Sequence, residues 1–154
     1  MEKTIITNNT GETRKIGAML AEELKGGEII CLAGDLGAGK TTFTQGLLKG
    51  LGAEGPFTSP TFLVMKEYKL LHSTSSQSSP WIRRGGIRDV FHIDAYRVGV
   101  KDILNLGWEE VIADKNNIAI IEWAERIKGI LPKDTQWITF SHARTVTERI
   151  ITFA

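Results

Sequence analysis

The stretch Gly34-Asp35-Leu36-Gly37-Ala38-Gly39-Lys40-Thr41 constrains this chain more than any other. An apolar run, Ile29-Ile30-Cys31-Leu32-Ala33, precedes it, and Thr42-Phe43-Thr44-Gln45-Gly46-Leu47-Leu48 follows with helical character. Glycines at 34 and 39 followed by Lys-Thr, set between a strand and a helix, form the P-loop pattern. The spacing has a physical basis. Successive backbone N–H groups must curl around a phosphate, and side chains at the glycines would block that approach. The helix behind them turns unpaired N–H groups and the positive end of its dipole toward the same anion. Asp35, Leu36, Gly37, Ala38, Gly39, Lys40, Thr41 and Thr42 are therefore the expected cradle of a nucleoside triphosphate. Within it Lys40 reaches the β- and γ-phosphates, and the Thr41 hydroxyl is a ligand for Mg²⁺.

The 154 residues, 42% of them hydrophobic, suffice for one domain, 1–154, with a sizeable core. A net charge of +1 provides no global field for non-specific nucleic-acid binding. The one cysteine, Cys31, has no partner for an internal disulfide and reads as a small buried apolar group. No run is long enough for a signal peptide or a membrane span, so the expected setting is soluble, reducing and cytoplasmic.

Along the chain, Thr4–Thr7 reads as an edge strand. Asn9 and Glu12 make a capping box ahead of Ile16, Met19, Leu20 and Leu24. That spacing predicts a helix of about four turns with a core-facing stripe, ending at Gly26-Gly27. Residues 28–33 suit a central strand covered on both faces. The P-loop helix runs to about Leu51, and residues 63–71 read as a strand. Residues 72–88 are serine-rich and then carry Trp81, Arg83, Arg84 and Arg88. They read as a mobile insertion, a solvated connection whose arginines and tryptophan also suit RNA contact. Val90–Asp94 and Ile118–Glu122 are two further strands, each ending in an acid. Between them, 102–106 is a short helical stretch closed by Gly107, and 108–112 continues it. Residues 137–140 and 149–153 alternate as a terminal hairpin closing one side of the sheet.

Hydrolysis of a triphosphate requires acids near the metal and a group that orients water. In an open α/β sheet such acids lie at the carboxyl ends of strands beside the P-loop strand. Asp94 and Glu122 occupy that position, one to serve the metal and the other to polarise water. Thr58-Ser59-Pro60-Thr61 matches the loop that senses a γ-phosphate through a threonine hydroxyl, with Pro60 extending the backbone to aim Thr61. Trp123, directly after Glu122, places a ring near the nucleotide or simply packs.

The segments 34–42, Thr-Ser-Pro-Thr-Phe (58–62), His-Ile-Asp-Ala-Tyr-Arg (92–97) and Ile-Glu-Trp-Ala-Glu-Arg (121–126) occur in this order, with Leu131-Pro132 and an arginine-bearing last strand behind them. Together they closely resemble the TsaE (YjeE) family, ATPases of bacterial tRNA threonylcarbamoyladenosine biosynthesis. The resemblance implies ATP and Mg²⁺, with TsaB and TsaD as protein partners and tRNA engaged only through their complex. It implies that Lys40 and Thr41 grip phosphates and metal, that Glu122 is the second metal ligand, and that Asp94 and Thr61 are needed for hydrolysis. Nucleotide contacts from Asn9 to Glu12, hence Thr10 and Glu12, and from Arg149 are implied in the same way. Ala95 and Ala124 depart from the family pattern, in which a larger apolar residue and a proline are common, and neither removes chemistry.

The expectation is thus a P-loop NTPase three-layer α/β sandwich with a mixed, mostly parallel sheet, acting as an Mg²⁺-dependent ATPase. The alternative is a small-molecule P-loop kinase with Arg83, Arg84 and Arg88 in a lid.

Overall fold

A computed structural model describes residues 2–70 and 86–154. Seven strands form one sheet: β1 (Lys3–Thr7), β2 (Ile29–Gly34), β3 (Met65–Lys69), β4 (Asp89–Asp94), β5 (Asn117–Glu122), β6 (Gln136–His142) and β7 (Arg149–Phe153). Their spatial order is β1-β7-β6-β2-β5-β4-β3. The central four, β6, β2, β5 and β4, are parallel to one another, and antiparallel pairings flank them on both sides. The terminal hairpin forms as β6–β7, but β1 lies outside it and takes the edge.

Alternation along the central strands builds two cores. Ile30 and Leu32 of β2, Val90 of β4 and Ile118 and Ile120 of β5 face helices α1 (Thr10–Ala21) and α2 (Lys40–Gly50), packing with Leu20, Phe43 and Leu47. Ile29, Cys31, Ile93, Ala119 and Ile121 face the other way. They meet α3 (Val100–Asn105), α4 (Trp108–Ala113) and a 3₁₀ segment, Ala124–Ile130, through Ile103, Trp108 and Ile127. Helices on both faces of a sheet whose middle strands are buried throughout make the expected three layers.

Helix α1 departs from expectation in length and facing. Asn9 caps it, its side chain accepting from the Glu12 N–H, but the helix ends at Ala21. The N–H groups of Lys25 and Gly26 donate to the Glu28 carboxylate instead of back along a helix, turning the chain into β2. Met19 is 53% exposed, and the buried face runs through Thr13, Gly17, Leu20 and Ala21. Small residues win this face because α2 lies against it: a Cβ on Gly17 would meet Phe43 O at 2.3 Å.

Other boundaries moved for local reasons. Gly107, at φ 84°, closes the first helical stretch as expected, and that stretch begins at Val100 rather than Asp102. Strand β3 starts at Met65 because Val64, at φ 65°, turns the chain there and donates its N–H to Pro60 O. The insertion's Trp81, Arg83 and Arg84 lie outside the described residues. Arg88 is described, and it pairs with Asp89 and Asp114 rather than offering a free cation. Among the described residues no helix is long and apolar enough to cross a membrane.

Candidate functional site

The parallel register brings three strand ends together. Leu32 of β2 lies beside Glu122 of β5, and Glu122 lies beside Asp94 of β4. The P-loop leaves β2 at Gly34, two residues beyond the position level with these acids. Gly34 sits at φ 131°, and a Cβ there would strike Phe140 O at 2.1 Å. This glycine is therefore demanded by the close approach of β6 as well as by the loop's own turn. Gly39, at φ 109°, begins α2 in the left-handed region without any side-chain cap. The first-turn N–H groups of α2 thus form part of the floor of a cleft of about 350 Å³.

The cleft is lined by Leu36, Gly37, Gly39, Lys40, Thr41 and Thr42 of the loop and α2, with Glu122 and Trp123 beside them. Asn9, Thr10 and Thr13 close it from the start of α1, and Val146, Thr147 and Arg149 from the terminal hairpin. Most of the expected contact residues are therefore brought together. Asp35 and Ala38 contribute differently: Asp35 O accepts from Lys40, and Ala38 is fully buried beneath the loop. Glu12 turns away from the cleft. Its carboxylate accepts from the Asn8 N–H and from the Asn8 and Asn9 amides, and the Asn8 N–H, first among these, holds it below the usual glutamate value.

Lys40 is folded back onto its own loop. Its ammonium donates to Gly34 O at 2.5 Å and Asp35 O at 2.8 Å, and lies 3.8 Å from the centre of the Trp123 ring. Only 4% exposed, it is pushed below the ordinary lysine range by burial, against the charges of Glu122, Glu125, Asp35 and Asp94. Trp123 reaches over it from a left-handed backbone, φ 59°, with its ring 4.8 Å from that of Tyr96.

Both acids are buried and oriented. The Thr41 hydroxyl donates to Glu122 Oε2 at 2.9 Å. Asp94 Oδ2 accepts from Thr61 Oγ1 at 2.9 Å and Ser59 Oγ at 3.1 Å, while Oδ1 accepts from the Tyr96 N–H. The loop after α2 is thereby tied to the end of β4, with Val64 in the left-handed region behind it. Ala95 and Ala124 are fully buried, and the Ala95 N–H extends the ladder to Glu122 O. Arg149 donates to Gly37 O, Val146 O and Glu148 O, and its strand partner His142 sits 3.2 Å from Leu36 O. The hairpin thus holds two carbonyls of the P-loop, those of Leu36 and Gly37.

His92 was not singled out from the sequence. It is 2% exposed, and its Nε2 lies 2.8 Å from Glu122 Oε1. The signal was present in the alternation of β4, which puts residues 90, 92 and 94 on one face. Thr13, Val146 and Thr147 also join the cleft, through tertiary packing alone.

The fold and the cleft define a three-layer α/β protein of the P-loop type. The family model described as threonylcarbamoyl adenosine biosynthesis protein TsaE matches residues 7–151, and the chain belongs to that family. Among similar proteins, the tRNA threonylcarbamoyladenosine biosynthesis protein TsaE of Bacillus subtilis is 35% identical over 147 residues, 96% of this chain and 82% of its own length. The protein of the same name from Rickettsia felis is 36% identical over 82% of this chain and 66% of its own. The crystal structure of Bacillus subtilis YdiB superimposes with a TM-score of 0.75 at 31% identity, covering 99% of this chain and 84% of that one.

Proposed function

We propose that this protein hydrolyses ATP to ADP and phosphate with Mg²⁺, in the cytoplasm, to drive the tRNA N6-threonylcarbamoyladenosine modification at position 37. The relatives' names support the modification pathway. The observation that carries the chemistry is the Thr41–Glu122 contact at the mouth of the P-loop, with Asp94 on the neighbouring strand.

The oxygen donors suit the metal. Mg²⁺ takes one or two protein oxygens and fills its shell with phosphate and water. Thr41 and Glu122 are such a pair, and among the described residues no cluster of three or more His, Cys, Asp or Glu side chains forms an all-protein metal centre. Bound there, Mg²⁺ supplies neutralisation of charge on the β- and γ-oxygens. The chain's own residues do the rest. Loop amides from Leu36 to Thr42 bind phosphate, and Lys40 exchanges Gly34 O, Asp35 O and the Trp123 face for phosphate oxygens. Asp94, fixed by Ser59 and Thr61, is the group that orients water, and the hydroxyl of Thr61 couples that acid to the loop after α2.

TsaB and TsaD are the proposed partners, with tRNA reached only through them. A small-molecule kinase is the weaker reading. Arg88, offered for its lid, lies before β4 at the end opposite Asp94, about 20 Å away along the strand, and is paired there. The test is phosphate release from ATP and Mg²⁺ without any acceptor, repeated with TsaB and TsaD. Release that rises on adding the two proteins supports the reading, and ATP consumption that requires a small-molecule acceptor overturns it.

A further inference from the structure

We propose that His92 is a positioning residue for Glu122, holding the carboxylate so that Oε2 faces Thr41 and the metal position. This rests on the hydrolase reading above.

The geometry is closed on three sides. His92 and Glu122 are each 2% exposed, so neither is oriented by bulk water. The two carboxylate oxygens have separate partners, Oε1 with His92 Nε2 at 2.8 Å and Oε2 with Thr41 Oγ1 at 2.9 Å. A carboxylate has no hydrogen to give, so Nε2 is the donor. The ring then carries its hydrogen on Nε2. Nδ1, which is buried and has no hydrogen-bond partner among the described residues, is left as a bare acceptor. A ring with one buried nitrogen unmet and the other on a carboxylate has a single useful task, and it is directional.

The backbone supports the same assignment. β4 and β5 are parallel and in register, with His92 beside Ile120 and Asp94 beside Glu122. His92 approaches Glu122 from below, on the α2 side of the sheet, while Thr41 approaches from the first turn of α2. Without the ring donor, Glu122 keeps one partner and gains rotational freedom about its last bond. A buried carboxylate oxygen left unmet turns toward any available donor, and Lys40, which lines the same cleft, is one candidate. Groups that orient metal ligands commonly change metal affinity by about ten- to a hundredfold when removed.

The test uses His92→Phe, which keeps a ring without an N–H, and His92→Gln, whose amide nitrogen replaces Nε2 as donor. Mn²⁺ is titrated by electron paramagnetic resonance in the presence of a non-hydrolysable ATP analogue, and analogue binding is measured without metal by calorimetry. His92→Phe is expected to raise the Mn²⁺ concentration at half-saturation about tenfold or more. Metal-free binding of the analogue stays within about threefold, and His92→Gln recovers most of the loss. In the unaltered protein, nitrogen NMR of the imidazoles is expected to show His92 with its hydrogen on Nε2, a readout independent of how well either variant folds. Unchanged Mn²⁺ dependence in a folded His92→Phe, equal losses in both variants, or a hydrogen on Nδ1 would each overturn the proposal. If the unaltered protein itself shows no metal-dependent nucleotide binding, the hydrolase reading falls, and this inference with it.

Discussion

Thr41 Oγ1 and Glu122 Oε2 stand 2.9 Å apart, joining the first turn of α2 to the last residue of β5, 81 positions later in the chain. Because the hydroxyl donates to the acid and is the proposed ligand for the metal, Thr41→Val is expected to cut turnover about a hundredfold or more. Nucleotide binding without metal is retained, since the amide cradle is untouched. Phosphate release compared with calorimetry measures the split, and equal losses in both would count against the assignment.

Asp94 is held by the Tyr96 N–H and by two hydroxyls, so its role depends on the loop after α2 that supplies the hydroxyls. Asp94→Ala is expected to spare nucleotide binding and stop turnover. Thr61→Val removes one of the hydroxyls and is expected to leave partial turnover. Surviving activity in Asp94→Ala would mean that another group handles the water.

Lys40 rests on the face of Trp123, and in the proposed reading phosphate binding draws it away. Indole emission from Trp123 should therefore change when ATP is added. Stopped-flow fluorescence of Trp123→Phe, which keeps Trp81, Trp108 and Trp137, is expected to lose most of that change, whereas Lys40→Ala is expected to lose binding itself.

Burial pushes the Cys31 thiol up to about 12, with a weaker opposing hydrogen bond from Thr135. The native state then keeps a proton that the unfolded chain releases from about pH 9 upward. The resulting stability is complete below about pH 9 and is lost as pH rises toward 12. Cys31→Ala is expected to flatten this alkaline limb in urea unfolding. Iodoacetamide at pH 8 should label the unaltered protein only on global unfolding.

The α1–α2 contact is made by backbone rather than by large side chains. A Cβ on Gly46 would meet Arg14 O at 2.0 Å, while one on Gly129 meets nothing within 4 Å. Gly46→Ala is expected to destabilise by about 1–3 kcal/mol or more, and Gly129→Ala to change stability by no more than about 0.5 kcal/mol. Urea midpoints at constant slope measure both.

The P-loop, its flanking strand and helix, and the two strand-end acids were legible because each is a local pattern. Glycine spacing, an apolar run and a carboxylate closing a strand are read within a few residues. His92 was passed over because a buried histidine in an apolar strand carries no local mark, and its meaning comes from Glu122, 30 residues away. Met19 was misplaced for a related reason. Periodicity registers which residues are apolar, whereas the facing of α1 is decided by how closely the α2 backbone approaches Gly17.

By itself the sequence determined the phosphate-binding loop, the α/β alternation and the candidate acids, since backbone sterics and hydrophobic period act along the chain. Only the tertiary structure decided that Glu12 serves its own cap, that Arg149 and His142 hold P-loop carbonyls, and that Lys40 lies under Trp123. Those outcomes depend on hydrogen-bond competition between groups far apart in sequence. Distance and direction settle that competition once the sheet has closed.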